Sequence, residues 1–336
     1  EMQSLKLESS EKELYGFEST GDFDISFGKS ITAVGKNSEY FKALETGHLP
    51  SAFKVPSNLK VEYGHLYDIT CVDDHVDRCY SDVEFPENET LNRYSDIRPY
   101  FDNRVKLTKN SLGTDYINAS YIGSCFKGDH RAYIATQGPI DGTIDDFWRM
   151  IIADEVHLII MLCKEFAGTR PQCCRYWPNL KESRTVDGVK ITCTSEETNV
   201  KTLIVERKFE IQKADKTYEV RQYQWQGWPD HGVPDEKDFP ALDDLVELVT
   251  ECKKKDSRPI LLHCSAGVGR TGTLIAIVNL YLQISHLREI GKFDTTPISV
   301  FSTVRRLREY RFLMVQTADQ YNLVYKYTLK LLSKKQ

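Results

Sequence analysis

The run Arg258-Pro-Ile-Leu-Leu-His-Cys-Ser-Ala-Gly-Val-Gly-Arg-Thr-Gly272 constrains this chain more than any other segment. Ile260 to His263 reads as a short strand, Cys264 to Arg270 as a tight loop, and Thr271 to Leu282 as a helix that is apolar nearly all round. Such a helix is buried, and its N-terminus points at the loop before it. Free backbone N–H groups and the helix macrodipole make that end an anion site. Gly267 and Gly269 give the loop backbone angles that other residues resist, so successive N–H groups can turn inward. Arg270, six positions after Cys264, brings a planar fork matched to two phosphate oxygens. These positive surroundings favour a thiolate at Cys264, and a thiolate beside a bound phosphoryl group is a nucleophile in position. Two blander readings compete. A nucleotide loop would need G-x-x-x-x-G-K-[ST], which is missing. An inert core cysteine does not explain the combination of His-Cys, two glycines and the arginine.

Around this segment strand-like and helix-like stretches are mixed. Helical patterns fall on Glu39 to Leu44, Asn58 to Leu66 and Phe239 to Lys254. Strand patterns fall on Tyr116 to Ile122, Ala132 to Ala135, Val156 to Cys163, Val189 to Ser195, Lys201 to Phe209, Tyr218 to Trp225 and Pro259 to His263. That mixture predicts an α/β or α+β domain with a large sheet. No Pro-rich or Ser-rich linker divides it, so one catalytic-size domain is expected over residues 39–336. Residues 1–38 form a polar N-terminal extension, expected to dock on the domain, in which Phe23 to Phe27 alternates like a half-buried strand.

Composition removes several classes of function. With 40% hydrophobic and 28% charged residues the chain is ordinary globular protein. A formal charge of -5 argues against a general nucleic-acid binder. No apolar run approaches ~18 residues, so no transmembrane segment is predicted, and Glu1 to Glu13 lacks a signal-peptide core. Nine cysteines occur without a C-x-x-C spacing, which disfavours zinc ribbons and secreted disulfide frameworks. A nucleophilic cysteine needs a reducing compartment. The expectation is a cytoplasmic protein, monomeric, without metal or cofactor.

His263-Cys-Ser-Ala-Gly-Val-Gly-Arg-Thr-Gly272 resembles the signature of the cysteine-dependent, tyrosine-specific protein phosphatases. The resemblance continues through Asn92-Arg93-Tyr94, Asp115-Tyr-Ile-Asn-Ala-Ser120, Tyr133-Ile-Ala-Thr-Gln-Gly-Pro139 and Asp146-Phe-Trp148. It goes on through Arg175-Tyr-Trp-Pro178, Trp228-Pro-Asp-His-Gly232 and Gln316-Thr-Ala-Asp-Gln-Tyr321, in the family's order. It implies a large twisted mixed sheet flanked by helices, with the phosphate loop between strand and helix. It also implies a two-step hydrolysis of phosphotyrosine-containing proteins. Cys264 takes the phosphoryl group while Asp230 protonates the departing tyrosine. Water positioned by Gln316 then hydrolyses the phosphocysteine, with Asp230 as base and Thr271 easing departure of the thiolate. Arg270 and the loop residues Ser265, Ala266, Gly267, Val268 and Gly269 hold the phosphate.

Read alone, Asp230 would be an exposed turn residue; the flanking Trp228 and Pro229 reverse that. Pro229 stiffens the segment, and Gly227 and Gly232 are placed to act as hinges of a lid. The resemblance also makes Tyr94 the wall of a slot too deep for phosphoserine, and has Asp96 grip the substrate backbone. Gln320 is set near the substrate water, and His263 orders the loop from below. The chain departs from the family at Leu91, where Lys is usual, and at Pro99-Tyr100-Phe101, where Asp usually ends the triplet. Lys164 to Gln172 lacks the Glu-Lys-Gly that supports the catalytic arginine. Ser95 is uncharged where some relatives are basic, which predicts a weak preference for acidic peptides. Leu313 fills a position where a small residue opens a second phosphate site, so none is expected beside Arg308. Two alternatives stay open. A phosphotyrosine-binding pseudophosphatase is disfavoured by the presence of Cys264, Arg270 and Asp230. A dual-specificity or lipid phosphatase is disfavoured by the Tyr94 segment and Gln316.

Overall fold

Every residue of Tyr133–Thr136, Leu158–Met161 and Ile260–His263 is buried, as strands covered on both faces require. Numbered along the chain they are β3, β4 and β11, and β11 lies between the other two with parallel pairing on each side. β1 (Arg104–Lys106) and β2 (Tyr116–Ile122) continue the sheet antiparallel beyond β3. On the far side β10 (Lys216–Trp225) pairs parallel with β4, and β9 (Ile204–Lys213), β8 (Val189–Asn199) and β7 (Ser183–Val186) follow antiparallel. The result is a nine-stranded mixed sheet in the order β1-β2-β3-β11-β4-β10-β9-β8-β7. β5 (Phe166–Ala167) and β6 (Arg170–Pro171) form a separate hairpin. This computed structural model describes residues 38–70, 86–110, 113–229 and 232–334. The expected extension up to residue 37, with its strand at Phe23 to Phe27, lies outside the described residues, as do Asp230 and His231.

Seven α-helices are described: α1 (Ser38–Thr46), α2 (Leu59–Thr70), α3 (Ile144–Ala153), α4 (Phe239–Lys255), α5 (Gly269–Glu289), α6 (Val300–Tyr310) and α7 (Ala318–Ser333). α5 is buried on nearly all sides and packs against α4, α6 and α7. The helix expected over Thr271 to Leu282 therefore starts two residues earlier, which puts Arg270 in its first turn rather than in the loop. It also runs seven residues further, because Ile284 and Leu287 prolong the buried face until Gly291 turns the chain at φ +69°. The strand expected from Lys201 begins instead at Ile204. There the Asn199 side chain accepts the N–H groups of Lys201 and Thr202, a local turn that competes with the ladder. Val156 to Cys163 likewise shortens to β4. α3 lies outside the helical patterns read from the sequence, although Phe147, Trp148, Met150 and Ile151 bury its inner face and Asp145 and Asp146 favour its N-terminus.

The helices of the N-terminal region are fastened by charge. Glu62, buried on α2, accepts the hydroxyls of Tyr321 and Tyr325 on α7, each at 2.6 Å. Glu45 on α1 takes the fork of the buried Arg305, with Nε at 2.8 Å and Nη2 at 2.6 Å, while Glu309 also pairs with that guanidinium. Burial pushes the Glu45 carboxyl up, but the attraction and hydrogen bonds of Arg305 outweigh it and hold it below the ordinary value. A carboxylate lowered on folding stabilises above its unfolded pKa and loses that contribution as pH falls through its folded one. Glu45→Gln is accordingly expected to cost about 2–3 kcal/mol at neutral pH, less than an orphaned buried charge because Glu309 stays on Arg305. Urea unfolding of both proteins should show the gap closing as acid protonates Glu45; a gap of constant size would contradict the account.

Candidate active site

β11 ends at His263 and α5 begins at Gly269, so five residues make the turn between them. Main-chain bonds fix it to its neighbours: Gly138 N–H donates to the Ser265 carbonyl at 2.9 Å, and Val315 N–H to that of Val268 at 3.2 Å. Arg311, wholly buried, donates Nε to the Gly267 carbonyl and Nη2 to that of Ala266, both at 3.1 Å. Asn118 Oδ1 at 2.6 Å and Ser120 Oγ at 3.1 Å hold the same guanidinium in place. A peptide whose carbonyl is held on one side presents its N–H on the other, the arrangement that the expected anion site requires. Gly267 adopts φ +73°, and a Cβ there would lie 2.2 Å from the Thr136 carbonyl oxygen, so the position requires glycine.

Cys264 is 4% exposed at the floor of this turn, and Gly267 N–H donates to its sulfur at 3.3 Å. Thr271 Oγ1 is buried with no hydrogen-bond partner among the described residues. Both ring nitrogens of the buried His263 are engaged, Nε2 with the Tyr176 hydroxyl at 2.9 Å and Nδ1 with the Cys264 carbonyl at 3.2 Å. His263 is thus a support beneath the loop. Cys173 donates its thiol to the Cys174 carbonyl at 3.2 Å. Burial pushes the Cys173 thiol up, whereas Cys173, His263 and Arg270 nearby pull that of Cys163 down against burial. Arg270 Nη1 donates to the Leu162 carbonyl at 3.1 Å, and no carboxylate of the described residues forms an ion pair with it. Glu165 does not replace the missing support. Its main chain closes the β5–β6 hairpin, accepting from Gln172 N–H at 2.8 Å and Cys173 N–H at 3.2 Å.

Tyr94, expected to wall the slot, is tied to the loop directly, with its hydroxyl 2.8 Å from Ser265 Oγ. Gln137 clamps the segment before it, accepting from Arg93 N–H at 2.9 Å and donating to the Leu91 carbonyl at 2.8 Å. Asp96 stands exposed two residues beyond Tyr94. At the other end of the loop, Gln316 and Gln320 both face Gly269, where an added Cβ would lie 3.2 Å from Gln316 Oε1 and 2.9 Å from Gln320 Nε2. The other end of the Gln320 amide is already engaged, since its Oε1 accepts the N–H groups of Gln316 and Thr317 and caps α7. Trp228 is buried beside Trp225, ring centres 5.4 Å apart, and Gly232 takes φ +87° on the far side of Asp230. Pro229 is half-buried. Arg308, by contrast, faces inward, with hydrogen bonds to Met314, Val315, Thr70 and Tyr63. Sequence reasoning missed Arg311, and the only signal for it was an arginine set among Tyr310, Phe312, Leu313, Met314 and Val315.

A family model described as protein-tyrosine phosphatase matches residues 88–330. The chain belongs to the protein-tyrosine phosphatase family. The catalytic domain of human protein tyrosine phosphatase non-receptor type 18 has the same fold, with TM-score 0.71 and 32% identity, covering 82% of this chain and 96% of that one. Chicken receptor-type tyrosine-protein phosphatase eta is 42% identical over 71% of this chain and 16% of its own length. A human relative named phosphatidylinositol phosphatase PTPRQ is 38% identical over 76% of this chain and 10% of its own length. The chain therefore spans between a tenth and a sixth of those two curated relatives. Among the described residues no helix is long and apolar enough to cross a membrane, and no cluster of His, Cys, Asp and Glu is arranged to hold a metal.

Proposed function

We propose that this phosphatase domain, residues 39–336, hydrolyses phosphotyrosine in proteins through a phosphocysteine intermediate at Cys264. Arg270 and the amides of Ser265 to Gly269 bind the phosphate, and Asp230 acts first as acid and then as base. Tyr94 walls the slot, Asp96 holds the peptide backbone, and Gln316 positions the water, with the Nε2 of Gln320 beside it. Thr271, whose buried hydroxyl has no partner among the described residues, is free to donate to the departing sulfur. The observation that carries the reading is the Gly267 amide on the Cys264 sulfur, in a loop whose carbonyls are held by Gly138, Arg311 and Val315. A solved complex of the non-receptor type 18 relative with HER2 phosphopeptides supports the substrate class. The described cysteines are all free thiols, which suits a monomer working in the reducing cytoplasm.

The test is phosphate release from matched phosphotyrosyl and phosphoseryl peptides and from a soluble phosphatidylinositol phosphate. Release from the phosphotyrosyl peptide alone is expected. Equal release from phosphoserine would refute the depth of the Tyr94 slot, and preference for the inositide would move the domain to the lipid class. Binding of phosphotyrosine without release would make it a binding module.

A further inference from the structure

Ser95 removes one basic residue from the rim of the slot, yet the structure brings another there from a distant part of the chain. The β5–β6 hairpin is closed at its base by the Glu165 carbonyl, which accepts from Gln172 and Cys173. Its tip turns through Gly168 at φ +59°. Arg93, next to Tyr94, docks the hairpin onto the slot: Nε and Nη2 hold the carbonyls of Gly138 and Pro139, and Nη1 reaches that of Pro171 at 3.4 Å. The Arg170 guanidinium is thereby laid over the Tyr94 ring, 5.5 Å from its centre, with Nη2 3.4 Å from the Tyr94 hydroxyl. That hydroxyl in turn meets Ser265 of the phosphate loop. Arg170 is exposed and forms no ion pair with any described carboxylate. Phe166, on the opposite strand of the same hairpin, is 57% exposed.

A guanidinium stacked on an aromatic face keeps its N–H edge open to a carboxylate, and its orientation is fixed before the ligand arrives. We propose that Arg170 is a specificity-determining residue, which pairs with an aspartate or glutamate side chain adjacent to the phosphotyrosine of the substrate. The inference rests on the reading of Tyr94 as the wall of that slot. It reverses the expectation drawn from Ser95: the preference for acidic peptides is carried by the hairpin instead.

The experiment compares kcat/KM on phosphotyrosyl peptides flanked by Glu or by Gln, with phenyl phosphate as a substrate that has no flanks. Wild type should prefer the acidic peptide about fivefold at low salt, the upper range for an exposed but well-oriented pair. The preference should lie in KM, shrink at high salt, disappear in Arg170→Gln and survive in part in Arg170→Lys. An equal preference in wild type and Arg170→Gln overturns the inference. So does a proportional loss on both peptides and phenyl phosphate, which would mean that Arg170 only props Tyr94. Wild type that turns over both peptides alike overturns it and leaves the phosphatase reading standing; wild type that turns over none overturns both.

Discussion

Cys264→Ser is expected to lower kcat for phosphotyrosine by ~10⁴ to ~10⁶ while phosphotyrosine still binds. A serine hydroxyl needs a base to become a nucleophile. His263, the adjacent histidine, has both ring nitrogens committed to Tyr176 and the Cys264 carbonyl. Among the described residues the only hydrogen bond to the Cys264 sulfur comes from a donor, the Gly267 N–H, and not from a proton acceptor. The substitution leaves the shape of the loop untouched, because Arg311, Gly138 and Val315 still hold its carbonyls. Calorimetry with a phosphotyrosyl peptide and single-turnover phosphate release separate the two effects. A variant that keeps activity within tenfold of wild type would place the nucleophile elsewhere.

The phosphate loop was legible in the sequence because its chemistry is local. Strand end, cysteine, glycines, arginine and helix start lie within fifteen consecutive residues, and the bounds of β11 follow from a short run of buried apolar residues. What escaped was set by distant contacts. Arg311 has meaning only once α6 brings it beneath Ala266 and Gly267 and across from Asn118. Arg308 and Arg311 are three residues apart, yet one binds Thr70 and Tyr63 and the other holds the loop at Ala266 and Gly267. A buried arginine reads in sequence as a surface charge, since burial without partners would be prohibitive. Gln320 shows the same limit in another form: the resemblance sets it near the substrate water, and only the fold reveals that its Oε1 caps α7 while its Nε2 faces Gly269. The hairpin at Lys164 to Gln172 could be seen only as a missing motif, because its docking depends on Arg93, some seventy residues earlier.

The guanidinium of Arg270 is the other group on which the proposed reaction depends, and Arg270→Lys tests what kind of help it gives. Charge alone survives the substitution; the planar two-donor fork does not. The developing charge in phosphoryl transfer is spread over three equatorial oxygens, so a fork that spans two of them strengthens most in the transition state. Arg270→Lys is expected to lower kcat by ~10² to ~10³, the usual effect of removing one preorganised donor. Arg270→Ala should fall further, by ~10³ to ~10⁵, in the range set by arginines that stabilise a transferring phosphoryl group. If the lysine variant retains most of the rate, charge suffices and the fork is not the reason for arginine. The structure argues for the fork, since what aims it is a carbonyl rather than a carboxylate. Leu162 accepts Nη1 at 3.1 Å, and its own N–H donates to the His263 carbonyl at 2.8 Å. The group that orients Arg270 is therefore fastened to His263, the last residue of the strand before Cys264. Cys264 and Arg270 thus share one frame, and a flexible ammonium would not inherit that alignment.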